Sequence, residues 1–196
     1  PFAPFVRELA RVEVLTALQT AAARLEKEGI EPLIPEVMSN LGYAAPYPEG
    51  PQDVAAFPGR IHSGPRGLLI PAPPAFGASR RLSAVILSAM ATHPETRSAM
   101  NVKFFEGADD LAPLLHLRAA SFERGAAPPE VKGEEGGTLA WAVASVLKPG
   151  QPPPDLIVDR GGFGKEPMIH ILGPTPMSVA EKVLALKNAL QVAGRI

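Results

Sequence analysis

The chain contains no cysteine among its 196 residues. Disulfides, thiolate metal sites and cysteine nucleophiles are therefore excluded. An excess of charge is also absent, because 19 basic and 20 acidic residues leave a formal net charge of -1. Nucleic-acid backbones are held by excess positive charge, so we expect no nucleic acid as a partner of this segment. No apolar run reaches the roughly 20 residues needed to cross a bilayer, so we expect no membrane association.

The start of the chain carries neither a methionine nor the basic segment that opens a secretory leader. We therefore expect a single domain over residues 1–196, excised from a longer chain, with residues 1–11 as a connector. Hydrophobic residues make up 46% and charged residues 20%, which is typical of globular proteins, and we expect a cytoplasmic location. The 23 prolines and 18 glycines fix many turns, as is typical of thermophile proteins.

Apolar periodicity predicts short strands interspersed with helices. Helical spacing extends over residues 4–27, where one face carries Val14, Leu18, Ala21, Ala22 and Leu25. Further helices are expected over 82–92, 109–117 (capped by one of its first two aspartates), 139–147, and after a capping box at 178–181. Strands are expected at 33–37, 41–44, 68–70, 97–105, 119–122, 155–159 and 168–172. The lack of strict βαβ alternation favours a layered α/β domain with a mixed sheet over a Rossmann fold.

Residues 155–167 form an apolar strand followed by a glycine-rich loop with charged side chains. Asp159, Arg160 and Gly161 open the loop, and Lys165 lies near its end. Glycines allow backbone N–H groups to approach a ligand, arginine can grip a phosphate with two hydrogen bonds, and lysine adds a point charge. The pattern predicts a phosphate- or pyrophosphate-binding loop. A glycine-rich hairpin whose charges face water is the alternative.

A second candidate phosphate site lies at the start of the helix expected over 82–92. It comprises Gly77, Ala78, Ser79, Arg80 and Arg81, with the serine as a suitable N-cap. The unpaired N–H groups and positive dipole of a helix start attract anions, and two arginines strengthen that attraction. Simple capping of the helix is the alternative.

Other polar residues are weaker candidates. The Pro-Gly turn before Arg60 would fix the place of that side chain, next to Gly59. Asn40 is either a ligand contact or an ordinary turn residue. Two acidic residues at 134–135 precede a helix and would either favour its N-terminus or hold a divalent cation beside a pyrophosphate.

No catalytic triad or zinc-ligand spacing is present, and the four histidines are isolated in the sequence. What recurs is arginine or lysine beside glycine, in three separate clusters. Several such clusters can hold a ligand with more than one phosphate group.

Seven short segments, in this order along the chain, together form a recognisable pattern. They are LIPEV at 33–37, SNLGYA at 39–44, DVAAFPGRI at 53–61, FGAS at 76–79, RSAMN at 97–101, DRG at 159–161 and GKEPM at 164–168. Together they resemble the archaeal-type thiamine-phosphate synthase family, the ThiN domain. The resemblance covers nearly the whole chain, from about residue 12 to residue 190. In that family the domain commonly follows a hydroxymethylpyrimidine phosphate kinase domain, or a helix-turn-helix domain for which it senses thiamine phosphates.

The resemblance implies a three-layer α/β/α domain with a mixed, largely antiparallel sheet. It implies a reaction that joins aminohydroxymethylpyrimidine pyrophosphate to hydroxyethylthiazole phosphate and releases thiamine phosphate and pyrophosphate. Mg²⁺ would suit the charge on the leaving group, although no ligand set for it is legible, and no organic cofactor is expected. It also leads us to expect a homodimer and a fused N-terminal domain outside this sequence.

The resemblance assigns catalytic roles to two positions. The family's enzymes rely on an arginine in the Pro-Gly-Arg-Ile turn, which matches Arg60, and on a histidine whose place here is taken by Arg81. Arginine can bind pyrophosphate but cannot act as a general acid or base near neutrality. We add Arg97 and Asn101 to the expected binding residues because they lie in a segment that carries the resemblance.

Two functions from different classes follow. An enzyme would turn over both substrates to thiamine phosphate, whereas the sensor of a transcriptional repressor would bind thiamine phosphate or diphosphate without turnover. The intact Gly59-Arg60 turn favours the enzyme.

Overall fold

The computed structural model describes residues 3–132, 136–162 and 164–196. Within these residues six α-helices occur: α1 (Ala3–Glu28), α2 (Arg80–Thr92), α3 (Ala108–Leu114), α4 (Pro129–Lys132), α5 (Gly137–Val146) and α6 (Pro176–Val192). Nine strands occur there: β1 (Leu41–Ala44), β2 (Val54–Ala56), β3 (His62–Gly64), β4 (Gly67–Leu69), β5 (Ala75–Phe76), β6 (Ser98–Lys103), β7 (Ala119–Phe122), β8 (Leu156–Asp159) and β9 (Met168–Gly173). In these parts of the chain every helix is too short or too polar to cross a lipid bilayer.

Seven strands form one sheet in the order β5-β2-β1-β6-β9-β8-β7, while β3 and β4 form a separate hairpin. Every pair in the large sheet is antiparallel except β7 with β8. The mixed, largely antiparallel α/β fold predicted above is confirmed.

Helices cover both faces of the sheet. One core packs α1 and α6 against one face, and it includes the predicted α1 positions Val14, Leu18 and Leu25. The second core packs α2 and α5 against the opposite face, through residues such as Val85 and Val143. Burying each large apolar side chain contributes about 1.5–3 kcal/mol, so both sheet faces need a helical cover, which gives the three-layer α/β/α arrangement.

Capping residues explain where two helices begin. Ser79 caps α2, with its side chain accepting a hydrogen bond from the Leu82 N–H, as predicted. The capping box of α6 was wrongly placed: Thr175 is the N-cap and pairs reciprocally with Ser178. The helix therefore begins at Pro176, where proline is well tolerated because the first N–H needs no partner.

Two further predictions were wrong. Residues 33–37 form no strand: a 3-10 helix (Glu31–Leu33) and a turn occupy this region, because Pro32 and Pro35 remove two strand donors. Helix α3 is not capped by an aspartate, because Gly107 is its N-cap in the left-handed region at φ 75° and makes no side-chain cap.

Antiparallel pairing gathers distant segments at one end of the sheet, here called the site end. The chain enters β1 there after Asn40 and leaves β2 there before Phe57. It leaves β6 after Lys103 and enters β9 at Met168, again at this end. The carboxyl ends of β7 and β8 lie there too, because β8 runs antiparallel to β9 and parallel to β7.

Candidate functional site

A cavity of about 980 Å³ opens at the site end of the sheet. Its floor includes Asn101 on β6 and Met168 and His170 on β9, while its wall includes residues that begin α2 and α5. Loop residues before β1 (Val37, Met38 and Asn40) and before β9 (Gly164, Lys165 and Glu166) also line the cavity. A cavity of this size suits a ligand with an aromatic ring and phosphate groups.

Five cationic side chains line this cavity: Arg60, Arg80, Arg81, Arg124 and Lys165. Among the described lining residues the only carboxylate is that of Glu166. The chain as a whole is nearly neutral, with a formal net charge of -1. The positive charge is therefore concentrated at the cavity, which favours anionic ligands there.

Two helices point their N-termini at the cavity. Gly77, Ala78 and Ser79 precede α2, and Gly136 and Thr138 lie at the start of α5; all five line the cavity. The first N–H groups of each helix have no partner within the helix, and the dipole is positive at that end. The second predicted phosphate cluster thus lies in the cavity wall.

The Pro-Gly-Arg turn is held in an unusual backbone conformation. Gly59 and Arg60 have φ angles of 77° and 69°. The Arg60 side chain donates from Nη1 to the Val37 carbonyl at 2.6 Å, and His62 donates from Nε2 to the Gly59 carbonyl at 2.6 Å. A left-handed arginine costs on the order of 1 kcal/mol, so these contacts impose its position.

Glu166 fixes the loop that anchors Arg60. Its carboxylate oxygens accept hydrogen bonds from the Glu36 N–H at 3.1 Å and the Val37 N–H at 3.2 Å. Val37 in turn accepts the hydrogen bond from Arg60. A residue from the 155–167 stretch therefore positions the arginine of a segment more than one hundred residues earlier, which sequence reasoning missed.

Asn40 and Asn101 form a hydrogen-bonded framework. The Asn40 side chain donates to the Phe57 carbonyl and accepts from the Phe57 N–H, both at 2.9 Å. Asn101 accepts from the Asn40 N–H at 2.8 Å and donates to the Met38 carbonyl at 3.0 Å. Both side chains line the cavity, and these contacts make them supports of its wall.

Behind the cavity, Asp159 forms a buried ion pair with Arg124. Arg124 Nε lies 2.9 Å from both carboxylate oxygens, and Nη2 also donates to Oδ2. Burial by itself would raise the pKa of Asp159, but the nearby His170 imidazole, the hydrogen bonds and charge of Arg124, and the Gly161 N–H lower the pKa below its ordinary value. Arg124 was missed although Gly125 follows it directly, which is the same arginine-beside-glycine pattern as in the predicted clusters.

His170 is a second residue that sequence reasoning missed. It is 2% exposed, and Nε2 lies 3.9 Å from Asp159 Oδ2, too far for a good hydrogen bond. Alternation along β9 places it on the α2/α5 face, the same face as Leu172. The signal in the sequence was a lone histidine in an otherwise apolar strand.

Four predicted residues lie outside the cavity lining. Arg97 directly precedes β6 at the opposite end of the sheet, where it donates to the Ala44 carbonyl at 2.7 Å and stacks on Tyr43. Arg160 turns away to pair with Asp109 and, at 3.8 Å, with Glu123. The other two residues act from behind the wall and are Asp159 and Gly161, which are joined by a 2.9 Å hydrogen bond.

Within the described residues, no group of three or more histidine, aspartate or glutamate side chains comes together that could bind a metal ion. The one carboxylate lining the cavity, Glu166, is already engaged by two backbone N–H groups. The acidic candidates Glu134 and Glu135 lie outside the described residues, as does Phe163 of the glycine-rich loop.

Comparisons with known proteins agree with this architecture. Residues 17–185 match the family model described as thiamine-phosphate synthase ThiN. Thiamine-phosphate synthase ThiN of Methanothermobacter thermautotrophicus is 39% identical over 155 residues, which cover 79% of this chain and 80% of that protein. Bifunctional thiamine biosynthesis protein ThiDN of Methanocaldococcus jannaschii is 41% identical over 159 residues, which cover 80% of this chain but 36% of that protein.

A solved structure is also similar. The C-terminal domain of phosphomethylpyrimidine kinase aligns with a TM-score of 0.82 and 32% identity, covering 89% of this chain and 98% of that domain.

Proposed function

The chain belongs to the thiamine-phosphate synthase ThiN family, and on that premise we propose that it joins aminohydroxymethylpyrimidine pyrophosphate to hydroxyethylthiazole phosphate. The products are thiamine phosphate and pyrophosphate. The observation that carries the proposal is the basic cavity at the starts of α2 and α5, because the reaction needs a place where negative charge can accumulate.

The reaction exchanges one bond for another. The bond between the pyrimidine methylene carbon and the pyrophosphate oxygen breaks, and its electron pair leaves with pyrophosphate. The lone pair of the thiazole nitrogen forms the new carbon–nitrogen bond and leaves that nitrogen positively charged. The largest change of charge is on the leaving oxygen, so donors aimed at pyrophosphate lower the barrier most.

The cationic lining residues fit this demand. We assign Arg60, Arg81 and Lys165 to pyrophosphate, together with the N–H groups that begin α2, and Arg80 to the thiazole phosphate. The turn at Gly59 and the clamp of Glu166 hold Arg60 before substrate arrives, so little reorganisation is needed as charge develops. Arg124 supports the wall through its pair with Asp159.

Mg²⁺ fits this function as an ion bound to the pyrophosphate itself, because the described residues offer no ligand set for a metal held by the protein. We keep a requirement for Mg²⁺ as a prediction. It is tested by measuring turnover after chelation and after adding Mg²⁺ back.

Further partners follow from the relatives. The bifunctional relative is longer than this chain, which covers 36% of it, and this supports an N-terminal partner domain in the full-length protein. We also propose a homodimer and a cytosolic location, which sedimentation and cell fractionation would test.

The deciding experiment measures pyrophosphate release with both substrates present. We expect turnover by the parent chain and a loss of about 100- to 1,000-fold in Arg60→Ala, the usual cost of removing one donor from a developing anion. Arg66→Ala is the matched control, because Arg66 is an exposed arginine in the turn between β3 and β4 and does not line the cavity.

Arg81→His separates the enzyme from the thiamine-phosphate sensor. Turnover by the parent chain supports the enzyme whether or not the variant is faster. No release from the parent, with release restored in Arg81→His, would overturn the enzyme. Tight binding of thiamine phosphate without turnover would then identify the sensor.

A further inference from the structure

His170 is a buried polar side chain that lies 3.9 Å from the Asp159 carboxylate but makes no hydrogen bond of ordinary length with the described residues. It is 2% exposed, and neither ring nitrogen has a hydrogen-bond partner among the described residues. Buried polar groups in folded proteins are nearly always paired, since an unpaired one destabilises the fold. Two other described side chains, Ser39 and His93, also have unpaired buried atoms, but of the three only His170 lines the cavity.

The surroundings of His170 differ from those of the cationic residues. Leu82, Val85, Leu139 and Met168 line the cavity with it. All four are buried members of the α2/α5 core or of β9, whereas Arg81 and Lys165 are exposed. The cavity therefore has an apolar interior with one polar group and a cationic rim, which is the division expected for a ligand with an aromatic ring and a phosphate tail.

The neighbouring carboxylate of Asp159 restricts which ligand groups His170 can bind. Nε2 lies 3.9 Å from Asp159 Oδ2, and the Asp159 carboxylate is held in place by Arg124 and the Gly161 N–H. A phosphate group this close to a carboxylate is repelled. The same carboxylate favours the tautomer with the proton on Nε2, which makes Nδ1 an acceptor.

We propose that His170 binds the aminopyrimidine ring of the substrate, with Nδ1 accepting a hydrogen bond from the exocyclic amino group. This rests on the function proposed above. The thiazole ring is the poorer occupant, because its ring nitrogen carries no proton that it could donate to an accepting Nδ1. The apolar neighbours pack on the faces of the pyrimidine, and its pyrophosphate extends toward the cationic rim.

The test is the Michaelis constant for each substrate in His170→Leu and His170→Asn. We expect His170→Leu to raise KM for the pyrimidine pyrophosphate about 10- to 100-fold, the usual effect of one buried hydrogen bond, and to leave KM for the thiazole phosphate unchanged. His170→Asn keeps a carbonyl acceptor near the position of Nδ1, so it should recover part of the loss.

Thermal unfolding separates binding from a purely structural role. Because the unpaired imidazole destabilises the ligand-free fold, we expect a higher Tm in His170→Leu. Ile169→Val is the control: Ile169 is fully buried but faces the α1/α6 core, so this variant should lower Tm slightly and change neither KM.

Equilibrium binding of hydroxymethylpyrimidine, without pyrophosphate, keeps the test independent of turnover. Weaker binding to His170→Leu than to the parent supports the proposal even if the parent is no enzyme. The proposal is overturned if pyrimidine KM and affinity are unchanged in His170→Leu. It is also overturned if Tm falls and both KM values rise together, which would mark a structural histidine.

Discussion

The buried pair of Asp159 and Arg124 gives the sharpest stability prediction. Asp159 is fully buried and the Arg124 side chain is 12% exposed, so each charge depends on the other for compensation. Removing one partner of a buried ion pair destabilises a protein by about 3–5 kcal/mol, because the remaining charge stays out of water without a counter-ion. We therefore expect Asp159→Asn to lower the free energy of unfolding by that amount.

A double-mutant cycle tests this cause. Arg124→Met keeps most of the side-chain volume but leaves the aspartate unpaired, and should cost a similar amount. The double variant contains neither charge, so it should be more stable than the sum of the two single effects predicts. Urea denaturation of the four proteins supplies the measurements. A loss below about 1 kcal/mol in Asp159→Asn, or two strictly additive single effects, would refute the coupling.

Three other predictions follow from individual contacts. Folding lowers the pKa of Asp159 from 3.8, so the stability that its carboxylate contributes is complete above pH 3.8 and is lost as pH falls through the pKa of the folded state. In acid-denaturation measurements, the difference in unfolding free energy between the parent and Asp159→Asn should therefore narrow as pH falls. Glu166→Ala frees the loop that anchors Arg60 and should lower kcat for pyrophosphate release about 10-fold or more, with Glu166→Gln intermediate. Gly161→Ala would place its Cβ 2.7 Å from a backbone oxygen at φ 76° and should cost more in thermal unfolding than Gly164→Ala, where φ is 67° but nothing lies within 4 Å.

Elements whose signal is local were predictable from the sequence. The apolar stripe of α1, the Ser79 cap and the stop of α2 before His93 each depend on neighbouring residues, and the structure has all three. The three-layer architecture followed from the resemblance. Predictions were wrong where a competing local choice existed: Thr175 and Ser178 both suit an N-cap, and only packing of α6 decides between them.

The composition of the cavity was only partly predictable. Arg60 and Arg81 could be predicted because each lies near a glycine. Gly59 indicates a turn with unusual backbone angles, and Gly77 indicates the approach to a helix start.

The signals for the three residues that were missed are weaker: Gly125 follows Arg124, Glu166 lies in the glycine-rich stretch, and His170 is a lone histidine in an apolar strand. These three residues meet only because β7 and β8 end, and β9 begins, at the site end of the sheet, and strand order is not encoded in the spacing of residues along the chain.

Arg97 shows the converse error. It lies next to a strand that reaches the cavity through Asn101, but a strand of six residues spans about 20 Å, so its two ends cannot serve one site. A cation within a matching segment is therefore not evidence of a ligand contact until the direction of the strand is known. Arg160 differs, because it lies at the correct end yet is drawn away by Asp109 and Glu123.

The chemistry of the reaction decides whether Arg81 can replace a histidine at this position. Cleavage of the carbon–oxygen bond expels an anion, and attack by the thiazole nitrogen creates a quaternary centre that carries no proton. Neither step requires an acid or a base, so a residue at the start of α2 needs only to stabilise negative charge. A guanidinium there is charged at every pH near neutrality, whereas an imidazole is largely neutral above its ordinary pKa. Replacing a histidine by Arg81 therefore removes nothing that the balanced reaction demands, and the parent chain should keep its rate of pyrophosphate release from pH 6 to about pH 8, where a titrating group at this position would impose a slope.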